Sequence, residues 1–512
     1  MLIPFEAKSL YRSSEICTSQ NNNPKGVCIG ARHIFQYGLA TENIMIEKKV
    51  KYNFIYNALY QILAIAVPLI TTPYLSRVLG PQSIGRYSYA YSIANYFGLF
   101  ILLGVNNYGC RSIALARKNT SDIMQEFWNI YSIQFVGAII VSIAYGFYFF
   151  VLSNDTIIAG ILMIYILSVG LDINWFFAGL EKFKVLVARN AAVKILTTAS
   201  IFIFVKKQTD VYIYTVIMCI GFVISQMTLW IFFLKNSKFL MPQWKIIKKY
   251  VKSDIILFVP VLAISLFTIM DKIMLGYISG NVEVGYYESV VKVRNLPMAI
   301  INALGTVMLP YISNRFSKLE NHYISLISKS IMFAMLCVTG MVFGLISIAD
   351  VFVPIFYGQG YEKCILLYSL ILPSCIFIAF ANVIRTQFLI PQNKDKIYVG
   401  SVLLGAVVNM ALNIFLIPCY QSSGAALASL CAEATVCFYQ AYHVRTVLPI
   451  GRYVIWMVAF SLIGIGMCII LRNIHYFINN PIKELFIKVI IGMIYYMIML
   501  LCIFKSRKNA RR

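Results

Sequence analysis

The chain has 512 residues, of which 60% are hydrophobic and 12% charged, with a formal net charge of +24. A soluble globular chain runs about 45–50% apolar and about 25% charged, so this composition excludes an ordinary water-soluble domain and points to a bilayer as solvent. The basic residues stand in short clusters between apolar runs, which reads as loop charge that fixes membrane orientation and not as a nucleic-acid surface.

Residues 1–44 do not match the rest: they carry NNNPKG, have no apolar run and lack the pattern of a signal peptide. We expect either a disordered extension or a true start at Met45, which precedes the basic flank IEKKVKYN. Apolar runs of helix length follow at about 54–75, 87–108, 128–152, 157–179, 185–205 and 211–234. A basic connector, residues 235–254, holds Lys235, Lys238, Lys245, Lys248, Lys249 and Lys252. Further runs lie at about 255–279, 287–311, 329–350, 366–390, 397–418, 423–444, 453–471 and 485–504. The fold class is therefore an all-α integral membrane protein with about 14 spans.

Loop charge tests this reading. With the N-terminus inside, the inner segments hold Lys48, Lys49, Lys51, Arg111, Arg117, Lys118, Lys182, Lys184, the connector lysines, Arg315, Lys318, Lys394, Lys396, Arg445, Arg452 and the basic tail. Arg77, Arg86, Lys206 and Lys207 are exceptions. Both termini are thus expected to be cytoplasmic. Trp175 and Trp244 read as interfacial anchors.

One stretch sets the organisation. PLITTPYLSRVLGPQSIGRYSYAYSIANYFGLFILLGVNNYGCR, from Pro68 to Arg111, is a helix end, a Leu-Gly-Pro turn and a Tyr-rich helix. A degenerate copy runs from Pro260 to Arg315. Pairing Gly80 with Gly276 and Gly85 with Gly285 makes the second turn the longer one. Each first helix holds a Val-Pro, at Pro68 and Pro260, where a freed carbonyl permits a gating kink; proline is also common in spanning helices for other reasons. After each hairpin, SIALARKNTSDIMQEF and NRFSKLENHYISLIS read as short interfacial helices or as plain polar loops.

No catalytic constellation, phosphate loop or metal-ligand spacing is present, so neither an enzyme nor a cofactor is expected. The informative residues are ionisable groups inside apolar runs, each costing about 2.5–3.5 kcal/mol at a helix centre. The second hairpin holds Asp271, Lys272, Glu288, Lys292 and Arg294. Asp271 and Lys292 sit about 10 Å from the turn on opposed helices and can face each other. Glu288 and Lys292 are four apart on one face. The aligned first-hairpin positions, Leu75, Ser76, Ser88, Ser92 and Ala94, carry no charge. Two readings stand: a network that only fixes helix register, or a cationic patch lining a cavity. Other intramembrane candidates for ion coupling or gating are Asp172, with Lys194 at pairing depth, Glu433 without an obvious partner, and Arg385, which reads as snorkelling to the inner surface.

PYLSRVLGPQSIGRYSYAYS, the Trp175-x-x-x-Gly179-x-Glu181 segment, and MDKIMLGYISG with VGYYESVVKVRNLP resemble the Wzx-type O-antigen flippases. These belong to the polysaccharide transport family of the MOP exporter superfamily. IPQNKDKIYVGSVLLGAVVNMALNIFLIP and GAALASLCAE fit the same family's later helices, and the resemblance covers about 46–505. It implies two pseudo-symmetric six-helix bundles, 45–234 and 255–446, around a central cavity, with two extra helices in 447–512. It further implies a polyprenyl-diphosphate-linked oligosaccharide, an O-antigen or capsule repeat unit, moved across a bacterial inner membrane by rocking of the bundles. Such a diphosphate is drawn to Lys272, Lys292 and Arg294. H⁺ or Na⁺ coupling through Asp271, Asp172 or Glu433, and contact with other polysaccharide-assembly proteins, fit the same picture. A lipid II flippase and a cation-coupled drug exporter of the superfamily are the alternatives; a polysaccharide polymerase lacks its expected large outer loop.

Overall fold

The computed structural model describes the backbone of residues 25–116, 120–235, 237–317, 323–474 and 480–509. The chain divides into two units, residues 1–59 and 60–512; in the first, the described residues are helical from Lys25, and all that follows concerns the second. Of the expected extension, residues 1–24 lie outside the described residues. So do the side chains of Lys48, Lys49, Lys51, Arg117, Lys118, Trp244, Lys245, Lys248, Lys249, Lys252, Arg315 and Lys318.

The helices are α1 (Lys25–Leu102), α2 (Val105–Ala116), α3 (Thr120–Phe147), α4 (Thr156–Gly170), α5 (Asn174–Gly179), α6 (Phe183–Phe204), α7 (Val211–Leu234), α8 (Trp244–Thr268) and α9 (Met270–Ser279). They continue as α10 (Asn281–Ser317), α11 (Tyr323–Ser347), α12 (Ala349–Tyr357), α13 (Lys363–Ile371), α14 (Ser374–Ile384), α15 (Asp395–Val444), α16 (Ile450–Asn473) and α17 (Pro481–Asn509). Among the described residues there is no strand. That follows from the sequence: hydrocarbon offers no partner for backbone N–H and C=O groups, so each run satisfies its own as helix. Among the described residues, twelve helices are long and apolar enough to cross a bilayer. Two of these stretches, Leu63–Ala116 and Asp395–Val444, are 54 and 50 residues long and contain non-helical residues, Gly80 and Gln421. Large apolar side chains such as Ile143, Phe150 and Phe415 point outward, as lipid-facing positions require.

The internal repeat is visible in the backbone. Gly80 (φ 70°, ψ 172°) and Gly280 (φ 88°, ψ 174°) make the same sharp turn, a conformation that only glycine adopts without strain. They lie 200 residues apart, as do Gly85 and Gly285. This corrects the register expected from sequence: the second turn is not longer, and Gly276 lies inside α9, where an added Cβ meets the Tyr89 ring at 2.1 Å. The first-hairpin counterparts of Asp271 and Lys272 are therefore Thr71 and Thr72, not Leu75 and Ser76. The helices run through Pro68 and Pro260; the backbone break near the latter falls at Ile269, between α8 and α9.

The two turns press on each other. A Cβ on Gly85 would stand 1.7 Å from the Asn281 carbonyl oxygen, and one on Gly285 2.0 Å from that of Pro81. Nearby, the Arg77 guanidinium donates to the Ile355 carbonyl, and Arg86 binds Asp155 at 2.6 Å and Tyr212 at 2.9 Å. The basic exceptions at this end are thus used inside the protein. At the connector end, Gly104 packs on the Asp254 backbone, Phe100 meets Phe258 edge-on at 5.5 Å, and Tyr250 donates to Glu126 at 2.6 Å. The first and second repeats are therefore joined at both ends.

The core divides likewise. One cluster of buried side chains spans Leu275 to Leu500, and two others lie within 75–219 and 105–233. Trp175 belongs to the last of these: it is 2% exposed, stacks on Phe127 and donates to Gln134 at 3.1 Å. It is a core residue and not an interfacial anchor. The last helix, α17, is tied in by Lys488, which is fully buried and bridges Asp350 at 2.9 Å and Glu484 at 2.8 Å.

Candidate functional site

The five charged residues of the second hairpin do not form one cluster; helix geometry sends them in three directions. Lys272 on α9 and Glu288 on α10 form a salt bridge of 3.1 Å, with each side chain 18% exposed. Lys292, one turn beyond Glu288, stands in Coulombic reach of both and makes no hydrogen bond among the described residues. Glu288 lies beside Ser88 of the first repeat and within reach of Tyr87, Tyr91 and Tyr214. These tyrosines form a continuous wall: Tyr87 stacks on Tyr91 at 5.6 Å and meets Tyr214 edge-on at 4.8 Å. A Lys–Glu–Lys triad thus sits on the seam between the repeats, facing aromatic faces and one hydroxyl.

Asp271 points the other way. Adjacent helical residues diverge by about 100°, and its 1% exposed carboxylate enters the second half. There it accepts from Tyr287 at 2.9 Å, from Asn413 at 2.6 Å and from Ser429, and Asn413 also donates to Asn409 at 3.1 Å. The expected approach of Asp271 to Lys292 is replaced by this four-residue cage. Sequence reasoning missed Asn409, Asn413 and Ser429 because they are neutral. The signal was there: two asparagines four apart inside an apolar run share one helix face.

Arg294 takes the third direction. It lines a cavity of about 270 Å³ with Arg385, Glu433, Asn382, Tyr398 and Gln440. Arg385 opens a π-helical turn, Arg385–Leu389, and lies over the Tyr398 ring at 5.4 Å. It lines this cavity. Glu433, which had no evident partner in the sequence, lies in the field of both arginines.

In the first half, Asp172 accepts from the Asn174 backbone at 2.8 Å and from its side chain at 2.6 Å. The cation acting on it is Arg189, which donates to Asn174 at 2.7 Å and to the Ser225 carbonyl at 3.1 Å. Arg189, and not Lys194, therefore fills the role expected from depth alone. These residues line a second cavity of about 330 Å³.

Comparison with known proteins agrees with this architecture. The chain is 26% identical over 397 residues to a "Putative O-antigen transporter" of Escherichia coli K12, covering 75% of this chain and 94% of that one. It is 28% identical over 232 residues to a "Probable low-salt glycan biosynthesis flippase" of Haloferax volcanii, covering 44% and 48%. Among solved structures it superposes on a lipid II flippase in an inward closed conformation, with a TM-score of 0.72 and 16% identity, over 89% of this chain and 99% of that one. An inward-facing multidrug transporter of the MOP superfamily gives 0.57 and 13%, over 77% and 95%. Residues 50–316 match the family described as "Polysaccharide biosynthesis protein", and the chain is a multi-pass membrane protein that belongs to that family.

Proposed function

We propose that the protein is a flippase that carries a polyprenyl-diphosphate-linked oligosaccharide across the cell inner membrane by alternating access. The observation that carries this reading is the triad of Lys272, Glu288 and Lys292 on the seam between the two repeats. Two ammonium groups share one carboxylate there, which leaves positive charge for a diphosphate. The tyrosine wall opposite supplies flat faces and hydroxyls of the kind that sugars meet in binding sites. A cationic cargo, as in drug export, meets the wrong sign at this place. The polyprenyl chain stays in lipid while the glycan passes between 45–234 and 255–446, the two bundles of our reading.

The contacts at the turn end and at the connector end act as alternating gates, with one pair opened at a time. Arg77, the Gly85–Asn281 and Gly285–Pro81 contacts close the first; Gly104–Asp254 and Phe100–Phe258 close the second. Leu63–Ala116 and Asp395–Val444 each cross twice, which gives fourteen spans with both termini cytoplasmic. The caged Asp271, with Asn413, Ser429 and Tyr287, is our choice for coupling to H⁺ or Na⁺, ahead of Asp172 and Glu433. Deleting the gene tests the reading: surface glycan falls and lipid-linked glycan accumulates. Unchanged surface glycan with no retained intermediate contradicts it.

A further inference from the structure

The cavity among Arg294, Arg385 and Glu433 has a counterpart in the first half. Asn295 lies 200 residues after Asn95, Arg385 lies 213 after Asp172, and Glu433 lies 211 after Phe222; all six line one or the other cavity. Each half thus carries a hollow beside the second helix of its hairpin, marked by Asn95 and Asn295 at the repeat's own offset of 200. In the first copy the charged groups satisfy one another through Asp172, Asn174 and Arg189, and Gln226 Oε1 is left over. In the second copy three atoms of the lining residues, Arg294 Nε, Asn382 Oδ1 and Gln440 Oε1, are buried with no partner among the described residues. Arg385 reaches the Tyr398 hydroxyl at 3.5 Å, and Glu433 makes no hydrogen bond there. Buried polar atoms without partners are rare in folded proteins and mark a site for a ligand or water.

Resting on the flippase reading, we propose that this second-half cavity is a subsite for one sugar ring of the cargo glycan, and that this ring carries a carboxylate. The volume, about 270 Å³, lies just below the range of about 300–1,000 Å³ typical of drug-sized sites, so it takes one ring and not a chain. Two guanidinium forks face the one lining carboxylate, Glu433, which the caged Asp271 carboxylate repels, and a planar fork matches a carboxylate with two parallel hydrogen bonds. The amide oxygens of Asn382 and Gln440 accept from ring hydroxyls. Phe267 and Tyr398 offer flat apolar faces to the ring. A π-helical turn, here begun by Arg385, is often found at functional sites.

The full chain in detergent, titrated with methyl β-D-glucuronide or methyl β-D-glucoside at matched ionic strength, tests this by its thermal unfolding midpoint. The glucuronide is expected to raise the midpoint saturably and to bind roughly tenfold or more tighter than the glucoside. Arg294→Met and Arg385→Met each abolish that preference, and Lys292→Ala keeps it. Where a Met variant does not fold, Arg385→Lys, which keeps the charge without the fork, is expected to weaken the preference. Equal shifts with both sugars, no shift with either, or an undiminished preference in the arginine variants overturns the proposal. Vesicle transport of an acidic and a neutral lipid-linked glycan separates the two levels. If the wild-type protein moves both and the arginine variants move both equally well, the subsite falls and the flippase stands. If it moves neither, the flippase reading falls, and the subsite with it.

Discussion

At the scale of single residues, rarity was the legible signal and direction was not. Every charge inside an apolar run was visible from composition, because each is costly in hydrocarbon. Their partners were not, since these depend on which face of a tilted helix meets which neighbour. Asp271 and Lys272 are adjacent in sequence yet serve different surroundings. Lys292 and Lys272 make opposite predictions as a result. Lys292 makes no hydrogen bond among the described residues, and its attraction to Glu288 is offset by repulsion from Lys272, so Lys292→Ala is expected to cost less stability than Lys272→Ala and to lower transport about tenfold. Lys272→Ala removes the bonded partner of Glu288 and is expected to lower both thermal stability and transport. Equal stability losses in the two variants speak against the assignment.

Asp254 supplies a pH dependence. It is 0% exposed, its carboxylate meets only the Gly104 backbone N–H among the described residues, and burial pushes its carboxyl up to about 7. Tyr108 faces it from α2, and the Gly104 backbone lies against it. An acid whose pKa is raised on closing stabilises the closed contact fully below its ordinary value of about 3.9. That stabilisation is lost as pH rises through about 7. Hydrogen exchange at residues 104–108, corrected for intrinsic rate, is therefore expected to quicken as pH rises from about 4 to about 7 and to level off above that. Asp254→Asn is expected to remove the change.

At the scale of elements, periodicity and length found the helices, and the turn register was lost between two glycines. Gly276 and Gly280 are equally good turn residues on paper. The left-handed φ of Gly280 decides for it, and the same geometry recurs at Gly80. The close approach of the turns yields a sharp prediction. Gly285→Val places a side chain against the Pro81 carbonyl and is expected to cut transport at least about tenfold with expression retained, because backbone at this contact cannot yield cheaply. Gly451→Ala, with nothing within 4 Å, is its control and leaves transport unchanged. Helix α17 depends on Lys488 instead. Lys488→Met strands two carboxylates and is expected to destabilise by about 3 kcal/mol, the low end for a broken buried pair because Asp350 is 39% exposed. Adding Asp350→Asn and Glu484→Gln recovers most of that loss in a thermal unfolding measurement.

At the scale of the whole molecule, the membrane class and the family were legible because a bilayer imposes one simple rule on every span. The fold is shared with a solved structure to which the chain is only 16% identical. What the pattern hid was function's geometry: one triad on the seam, one caged carboxylate and one arginine-lined hollow arise from five residues of a single hairpin. The symmetry supplies the frame and its breaking supplies the chemistry, since Thr71, Thr72, Ser88, Ser92 and Ala94 stand where the second half carries charge.

The most direct test of a seam-borne diphosphate site is transport itself, in proteoliposomes loaded with a polyprenyl-diphosphate-linked glycan. The glycan's protection from an external modifying enzyme is followed with time. The wild-type chain is expected to exchange glycan between leaflets well above the rate of empty vesicles, and the Lys272→Ala, Lys292→Ala double variant at least about tenfold more slowly. A wild-type rate equal to that of empty vesicles, or a double variant as fast as wild type, contradicts it.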